Sequence, residues 1–394
     1  MSTPARRIYL DNAATSWPKP EAVYAAVERY QRELGAPAGR GAYAEALQVE
    51  QMVQAARRAA AELLGVQDPR QIIFTLNGTD SLNLAIHGLL DQEGGHVVTT
   101  VAEHNSVLRP LRELQQNGRI TADRVACNAA GLVDPDEVRR ALRPETKLIA
   151  VTHASNVTGA LQPVAEIGRL AQERGILFLV DAAQTLGEMP VSVEELHADL
   201  LAAPGHKGLL GPLGTGLLYI RPGVERRLRS VRQGGTGSFS DNDRQPETLP
   251  DKYEPGNLNV PGIVGLGAGI QFLKQQGLSE VRRHAVELTE RLLTGLADIR
   301  GVTLYGPPTA AQRVAVVSMS LSGVDSQELA AALDSAYRIQ TRAGIHCAPA
   351  MHQALGTLQG GGTVRFSLGF ASTADEVDAA VAGVREIAAA MAAV

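Results

Sequence analysis

Residues 176–220, ILFLVDAAQTLGEMPVSVEELHADLLAAPGHKGLLGPLGTGLLYI, decide the fold. They open on an unbroken apolar run, 176–180, that stops at a single acid, Asp181. A strand buried on both faces ends this way where it meets the ligand-bearing edge of a parallel sheet. A second apolar run, 199–203, leads into Gly205-His206-Lys207-Gly208. It brings one lysine to the same edge, between glycines that let a ligand approach the backbone.

A buried Asp–Lys ion pair fits that arrangement, and so does a site for pyridoxal phosphate. In such a site the amine forms a Schiff base with the aldehyde, and the carboxylate keeps the pyridine nitrogen protonated so that the ring serves as an electron sink. Composition narrows the setting. The 394 residues, 44% hydrophobic and 20% charged, suffice for a large core and more than one domain. A net charge of −5 provides no basic field for nucleic acid or an anionic membrane. No window reaches the roughly 20 apolar residues of a spanning helix, residues 1–7 lack a signal-peptide core, and the two cysteines form no Cys-x-x-Cys pair. A cytoplasmic protein is expected, and the arginines at 226, 227, 229 and 232 read as a solvated helix face.

Working outward, strand and helix patterns alternate from about 71 to 221, predicting one mostly parallel sheet with polar residues at its carboxyl edge. QIIFTLN runs straight into the helix GTDSLNLAIHGLL, where Gly78 and Thr79 can hold a phosphate at a helix N-terminus, or Thr79 and Asp80 simply cap it. Strand HVVTTV leads to His104, and strand TKLIAVTHASN to Asn156. Cys127, in RVACN, reads as a core thiol within a strand. From Arg232 a Gly-, Pro- and Asp-rich stretch reads as a long functional loop or a linker. The glycines of 262–270 have the wrong spacing for a dinucleotide site and predict a closely packed helix. Shorter strands and helices follow, a second small α/β unit that the N-terminal strand 8–10 is expected to join. In TRAGIHCAPAMH, Cys347 stands in a loop pattern of small residues beside His346, whose imidazole can lower a thiol pKa. An inert thiol and a metal set of His346, Cys347 and His352 are the alternatives. Arg342 and Arg365 offer forks for a carboxylate or for salt bridges.

YLDNAAT at 9–15, DAAQ, GHKG, GPLGTGLLYI and Arg-x-Gly-x-His-Cys-Ala together resemble the class V aminotransferases, in particular the group II cysteine desulfurases with a short catalytic loop. The resemblance runs from YLDNAAT to the last helix. It implies the α/β fold of type I pyridoxal 5'-phosphate enzymes: a large cofactor-binding domain, 15–255, with a mostly parallel seven-stranded sheet, and a smaller α/β domain, 1–14 with 256–394, bearing the cysteine loop. It implies catalytic roles for Lys207, Cys347 and His104. Gly78, Thr79, Asn83, His104, Asn156, Asp181, Gln184, His206 and Lys207 would bind the cofactor, joined across a homodimer by Gly235, Thr236 and Gly237 of the other subunit. Ala14, Asn156, Arg342 and Arg365 would bind substrate. The implied reaction takes L-cysteine to L-alanine and a persulfide on Cys347, with sulfur passed to a protein acceptor. Selenocysteine lyases, other C–S lyases and aminotransferases share the fold, and a scaffold without turnover is a further alternative. Two positions depart from the family: Pro204 stands where relatives carry a phosphate-binding hydroxyl, and Tyr43 where many group II members carry histidine.

Overall fold

The computed structural model describes residues 7–39, 41–238 and 240–392; the expected absence of a signal peptide concerns residues lying mostly outside these. The first strand, β1 (Ile8–Tyr9), is short. Seven strands follow and form one sheet: β2 (Ile72–Thr75), β3 (Gly95–Thr100), β4 (Ile120–Val125), β5 (Thr146–Thr152), β6 (Leu177–Asp181), β7 (Leu200–Pro204) and β8 (Gly216–Ile220), in spatial order β2-β8-β7-β6-β5-β3-β4. Only β8 runs against its neighbours. The central strands β6, β7 and β8 are buried along their whole length, as their unbroken apolar runs require. Helices cover both faces, giving one core cluster on each side of the sheet.

The remaining strands are β9 (Val302–Tyr305), β10 (Val316–Leu321), β11 (Ile339–Gln340), β12 (Arg342–Gly344) and β13 (Thr363–Ser367). Four of them form an antiparallel sheet in the order β12-β13-β10-β9. The helices Leu278–Ala297, Ser326–Tyr337 and Ala374–Ala392 share its apolar cluster. As expected, the N-terminal strand joins this end of the chain: β1 pairs in parallel with β11. The last helix starts with a capping box, in which Thr373 Oγ1 accepts the Glu376 N–H at 3.3 Å and Glu376 Oε2 accepts the Thr373 N–H at 3.1 Å.

Three local expectations are corrected. The arginine cluster forms no helix beyond the turn Val224–Arg226; Arg232 instead bonds Asp80 at 3.1 Å. Cys127 lies past the end of β4, half-buried in an isolated bridge to Val133, because the strand pairing with β3 stops at Val125. The glycines flanking Lys207 serve packing: a Cβ on Gly205 would fall 2.2 Å from Thr215 Oγ1, and one on Gly208 2.5 Å from the Leu186 carbonyl. The glycine-rich helix, Val260–Gln276, is as close-packed as its sequence requires, with Gly267 set against Ala56.

Candidate active site

Every strand of the large sheet that runs in the common direction, apart from the edge strand β4, delivers a polar residue at its carboxyl end to one cavity of about 320 Å³. β6 ends at Asp181, β7 leads to His206 and Lys207, β5 to Asn156, β3 to His104, and β2 to Gly78 and Thr79. The antiparallel sheet contributes Arg342 and Arg365, and the segment after β1 contributes Ala13 and Ala14. The geometry is the crevice outside the carboxyl ends of an open α/β sheet.

Asp181 is buried, and its Oδ1 accepts the Ala183 N–H at 2.9 Å. Burial raises its pKa, with the Ala183 N–H and Lys207 pulling the other way. Burial likewise lowers Lys207 to about 8, against the attraction of Asp181. His104 caps the helix Asn105–Gln116: its Nδ1 accepts the Ser106 N–H at 3.0 Å, which leaves the ring proton on Nε2. Burial, then the charges of Lys207 and Arg342, push His104 down to about 4, so the ring is neutral. Burial and Lys207 do the same to His206, at about 4, and its Nδ1 has no hydrogen-bond partner among the described residues.

Arg365 is 1% exposed and donates to Asp11 Oδ1 at 2.7 Å and to the Asn156 carbonyl at 3.1 Å. It stands directly across β12–β13 from Arg342. Two cations facing each other repel, and among the described residues Arg365 has a carboxylate partner, Asp11, while none is seen for Arg342. The Arg342 guanidinium also lies 3.9 Å from Cys347 Sγ.

The thiol is exposed. His346 and Cys347 both hold left-handed backbone, at φ 52° and 57°, which costs a residue other than glycine of order 1–2 kcal/mol. Two hydrogen bonds hold them there: Asn156 Nδ2 donates to the His346 carbonyl at 2.6 Å, and Asn105 N–H to the Cys347 carbonyl at 2.8 Å. The same geometry corrects the expected imidazole–thiol pair. His346 is buried against the Arg342 carbonyl, 3.2 Å away, and burial pushes it down to about 3, so the cation beside the sulfur belongs to Arg342. Among the described residues no group of three or more His, Cys, Asp or Glu is placed to hold a metal ion, and His352 Nδ1 bonds Thr357 Oγ1 at 2.8 Å.

Gln184 lines the cavity, its amide donating to the Ala13 carbonyl at 3.2 Å. Asn83 does not line it, because its amide is turned back to the Thr79 carbonyl at 2.9 Å. Thr236 also lies outside the cavity of its own chain, bonded to Ser238. Three residues escaped the sequence reading. Asp11 sits in the YLDNAAT phrase, Ser106 two places after His104, and Glu103 just before it. Glu103 is fully buried, and burial raises it to about 8.

The class-V aminotransferase model matches residues 8–380. A probable cysteine desulfurase of Methanothermobacter thermautotrophicus is 37% identical over 97% of this chain and 94% of its own length. This chain belongs to the class-V aminotransferases, among the cysteine desulfurases. The apo cysteine desulfurase of Thermococcus onnurineus superposes with a TM-score of 0.91 at 33% identity, covering 98% of this chain and 95% of that one. The cysteine desulfurase CsdA of Escherichia coli, in its S-sulfonic acid form, gives 0.87 at 28% identity, covering 98% and 95%. Family membership makes the protein an enzyme dependent on pyridoxal 5'-phosphate. The cavity fits that group: a helix N-terminus and the unpartnered His206 nitrogen suit a phosphate, a buried acid suits the pyridine nitrogen, and an amine of lowered pKa suits the aldehyde.

Proposed function

We propose that this chain removes the sulfur of L-cysteine, yielding L-alanine and a persulfide on Cys347 that passes to a protein acceptor. The observation that carries the reading is an exposed thiol on an anchored, left-handed loop beside a cavity holding an amine, an acid and two guanidinium groups. When bound, pyridoxal phosphate supplies the aldehyde and the electron sink. Gly78, Thr79 and His206 would hold its phosphate, His104 its ring face, Asp181 its pyridine nitrogen, and Asn156 and Gln184 its phenolic oxygen. Arg365, with Arg342 and Ala14, receives the substrate carboxylate. Lys207, lowered to about 8, takes the proton from the substrate α-carbon. The Cys347 thiolate attacks the substrate sulfur. A sulfur–sulfur bond forms, the carbon–sulfur bond breaks with its electron pair left on the carbon fragment, and protons delivered by Lys207 complete alanine.

In this reading the large domain is 15–255, and 1–14 with 256–394 form the domain that carries the thiol. The enzyme works as a cytoplasmic homodimer, with Gly235, Thr236 and Gly237 serving the phosphate of the partner subunit; the place of Thr236 outside its own cavity supports this. No helix among the described residues is long and apolar enough to cross a membrane. The test pairs alanine and sulfide release from L-cysteine, with reductant, in wild type and Cys347→Ala. Wild type should be yellow and make both products, and the variant should stay yellow and stop. Sulfide release at full rate from the variant refutes the persulfide step.

A further inference from the structure

The segment that follows β1 grips the turn bearing Lys207, through two residues that do not line the cavity, Ser16 and Lys19. Lys19 Nζ donates to the His206 carbonyl at 2.8 Å and to Ser16 Oγ at 2.8 Å. Ser16 adds its own N–H to the His206 carbonyl at 3.0 Å, and its Oγ lies 2.9 Å from the Lys207 carbonyl and 3.2 Å from that of His206. An ammonium only donates and a carbonyl only accepts, so Ser16 Oγ accepts from Lys19 and gives its one proton to the turn, at the shorter contact to Lys207. The two carbonyls belong to the peptide units on either side of the Lys207 α-carbon. Each unit is planar, so holding both fixes φ and ψ of Lys207 and with them the direction in which its side chain leaves the turn.

The charge on Lys19 needs a reason of its own. The residue is half-buried, burial lowers it to about 8, and no carboxylate among the described residues pairs with it. Its ammonium has exchanged water for a hydroxyl and a carbonyl, an exchange that costs desolvation. The Ser16 N–H already gives the His206 carbonyl a neutral donor; what Lys19 adds is a charged one, about twice as strong. Resting on the cofactor reading above, we propose that Lys19 is a positioning residue for Lys207. Directly and through Ser16 it anchors the carbonyls around the Lys207 α-carbon, and so aims the amine at the cofactor aldehyde, with which it condenses as one water leaves.

The test compares pyridoxal phosphate with pyridoxamine phosphate, which carries an amine in place of the aldehyde and fills the cavity without bonding to Lys207. Calorimetric titration of the full-length apoprotein gives Kd for each. Lys19→Met should weaken pyridoxal phosphate binding about tenfold, the worth of one hydrogen bond to a charged group, and leave pyridoxamine phosphate within about twofold. Retained pyridoxamine phosphate binding shows that the fold and cavity are intact. Ser16→Ala, which removes the link to the Lys207 carbonyl, should show the same asymmetry. In Lys207→Ala there is no amine to aim, so adding Lys19→Met should change neither Kd by more than about twofold. Unchanged pyridoxal phosphate binding in both single variants, equal losses for the two compounds, or a loss that persists in the Lys207→Ala background would each overturn the proposal. Wild-type pyridoxal phosphate affinity in Lys207→Ala would overturn it together with the role given to Lys207. The expected asymmetry in a protein that makes no alanine from cysteine refutes the desulfurase reading and leaves this assignment standing. A wild type active on cysteine, with Lys19→Met and Ser16→Ala binding both compounds normally, refutes this assignment alone.

Discussion

Replacing Arg365 with lysine tests the substrate-carboxylate site most directly. The guanidinium donates to Asp11 Oδ1 at 2.7 Å and to the Asn156 carbonyl at 3.1 Å, and its strand position sets it opposite Arg342. Lysine keeps the charge but concentrates its donors on one atom, so it cannot serve Asp11, Asn156 and a substrate carboxylate together. The loss amounts to one charge-assisted hydrogen bond, about 1.5–3 kcal/mol. At about 1.36 kcal/mol per decade, kcat/KM for L-cysteine should fall roughly 10- to 150-fold. Lysine is preferred to alanine, because stripping one partner from a buried ion pair costs about 3–5 kcal/mol and would mix folding into the result. The carboxylate is remote from the reacting sulfur and bound alike in ground and transition states, so the loss should fall mainly on KM. Steady-state alanine formation, with thermal unfolding as the control on folding, measures it. A KM within about twofold of wild type, or a collapse of kcat at constant KM, refutes the assignment.

Glu103 should make stability fall with pH. Its native pKa of about 8 lies above the unfolded value of 4.5, so the folded state keeps a proton that the unfolded state gives up across that window, and the loss ends above about 8. Glu103→Gln should flatten the pH profile of thermal unfolding by up to about 1.4 kcal/mol per pH unit relative to wild type; parallel profiles would contradict this. Gly205→Ala places a Cβ 2.2 Å from Thr215 Oγ1 and shifts the His206-Lys207 turn, so the purified protein should be folded but colourless, with colour returning when Thr215→Gly is added. Arg57, 1% exposed, forks onto Glu254 at 2.7 and 2.8 Å and ties the end of the long loop to the helix Ala44–Leu64. Arg57→Ala should cost about 3–5 kcal/mol in urea unfolding, and a loss under about 1 kcal/mol would show the pair to be dispensable.

Much of the site was legible because a parallel sheet writes it into the sequence one strand at a time. Each apolar run ends at the residue the cavity uses: Asp181 after β6, Lys207 after β7, Asn156 after β5 and His104 after β3. What stayed hidden depends on partners far along the chain. Arg365 reaches Asp11 across 354 residues, and neither side chain announces the other. Gly205 looked like room for a ligand because Thr215 Oγ1, the atom it makes room for, lies across a turn that periodicity does not describe.

The cysteine loop shows the same limit from the side of the backbone. Glycine would signal left-handed geometry in a sequence, but His346 and Cys347 carry side chains and adopt it anyway. They do so because Asn156, 190 residues before His346, and the first N–H of the helix Asn105–Gln116 take up their carbonyls. That backbone turns His346 inward to the Arg342 carbonyl and Cys347 outward to solvent. Reading the two neighbours as a catalytic pair followed from adjacency, and adjacency in sequence fixes no side-chain direction where φ is positive. One of the two contacts that hold the thiol in place comes from Asn156, which also borders the cavity, and the other from the Asn105 N–H, which follows directly on the cavity-lining His104 that caps the same helix. Geometry at the thiol is therefore coupled to geometry at the cavity, because Asn156 belongs to both and Asn105 is the first residue of the helix that His104 caps.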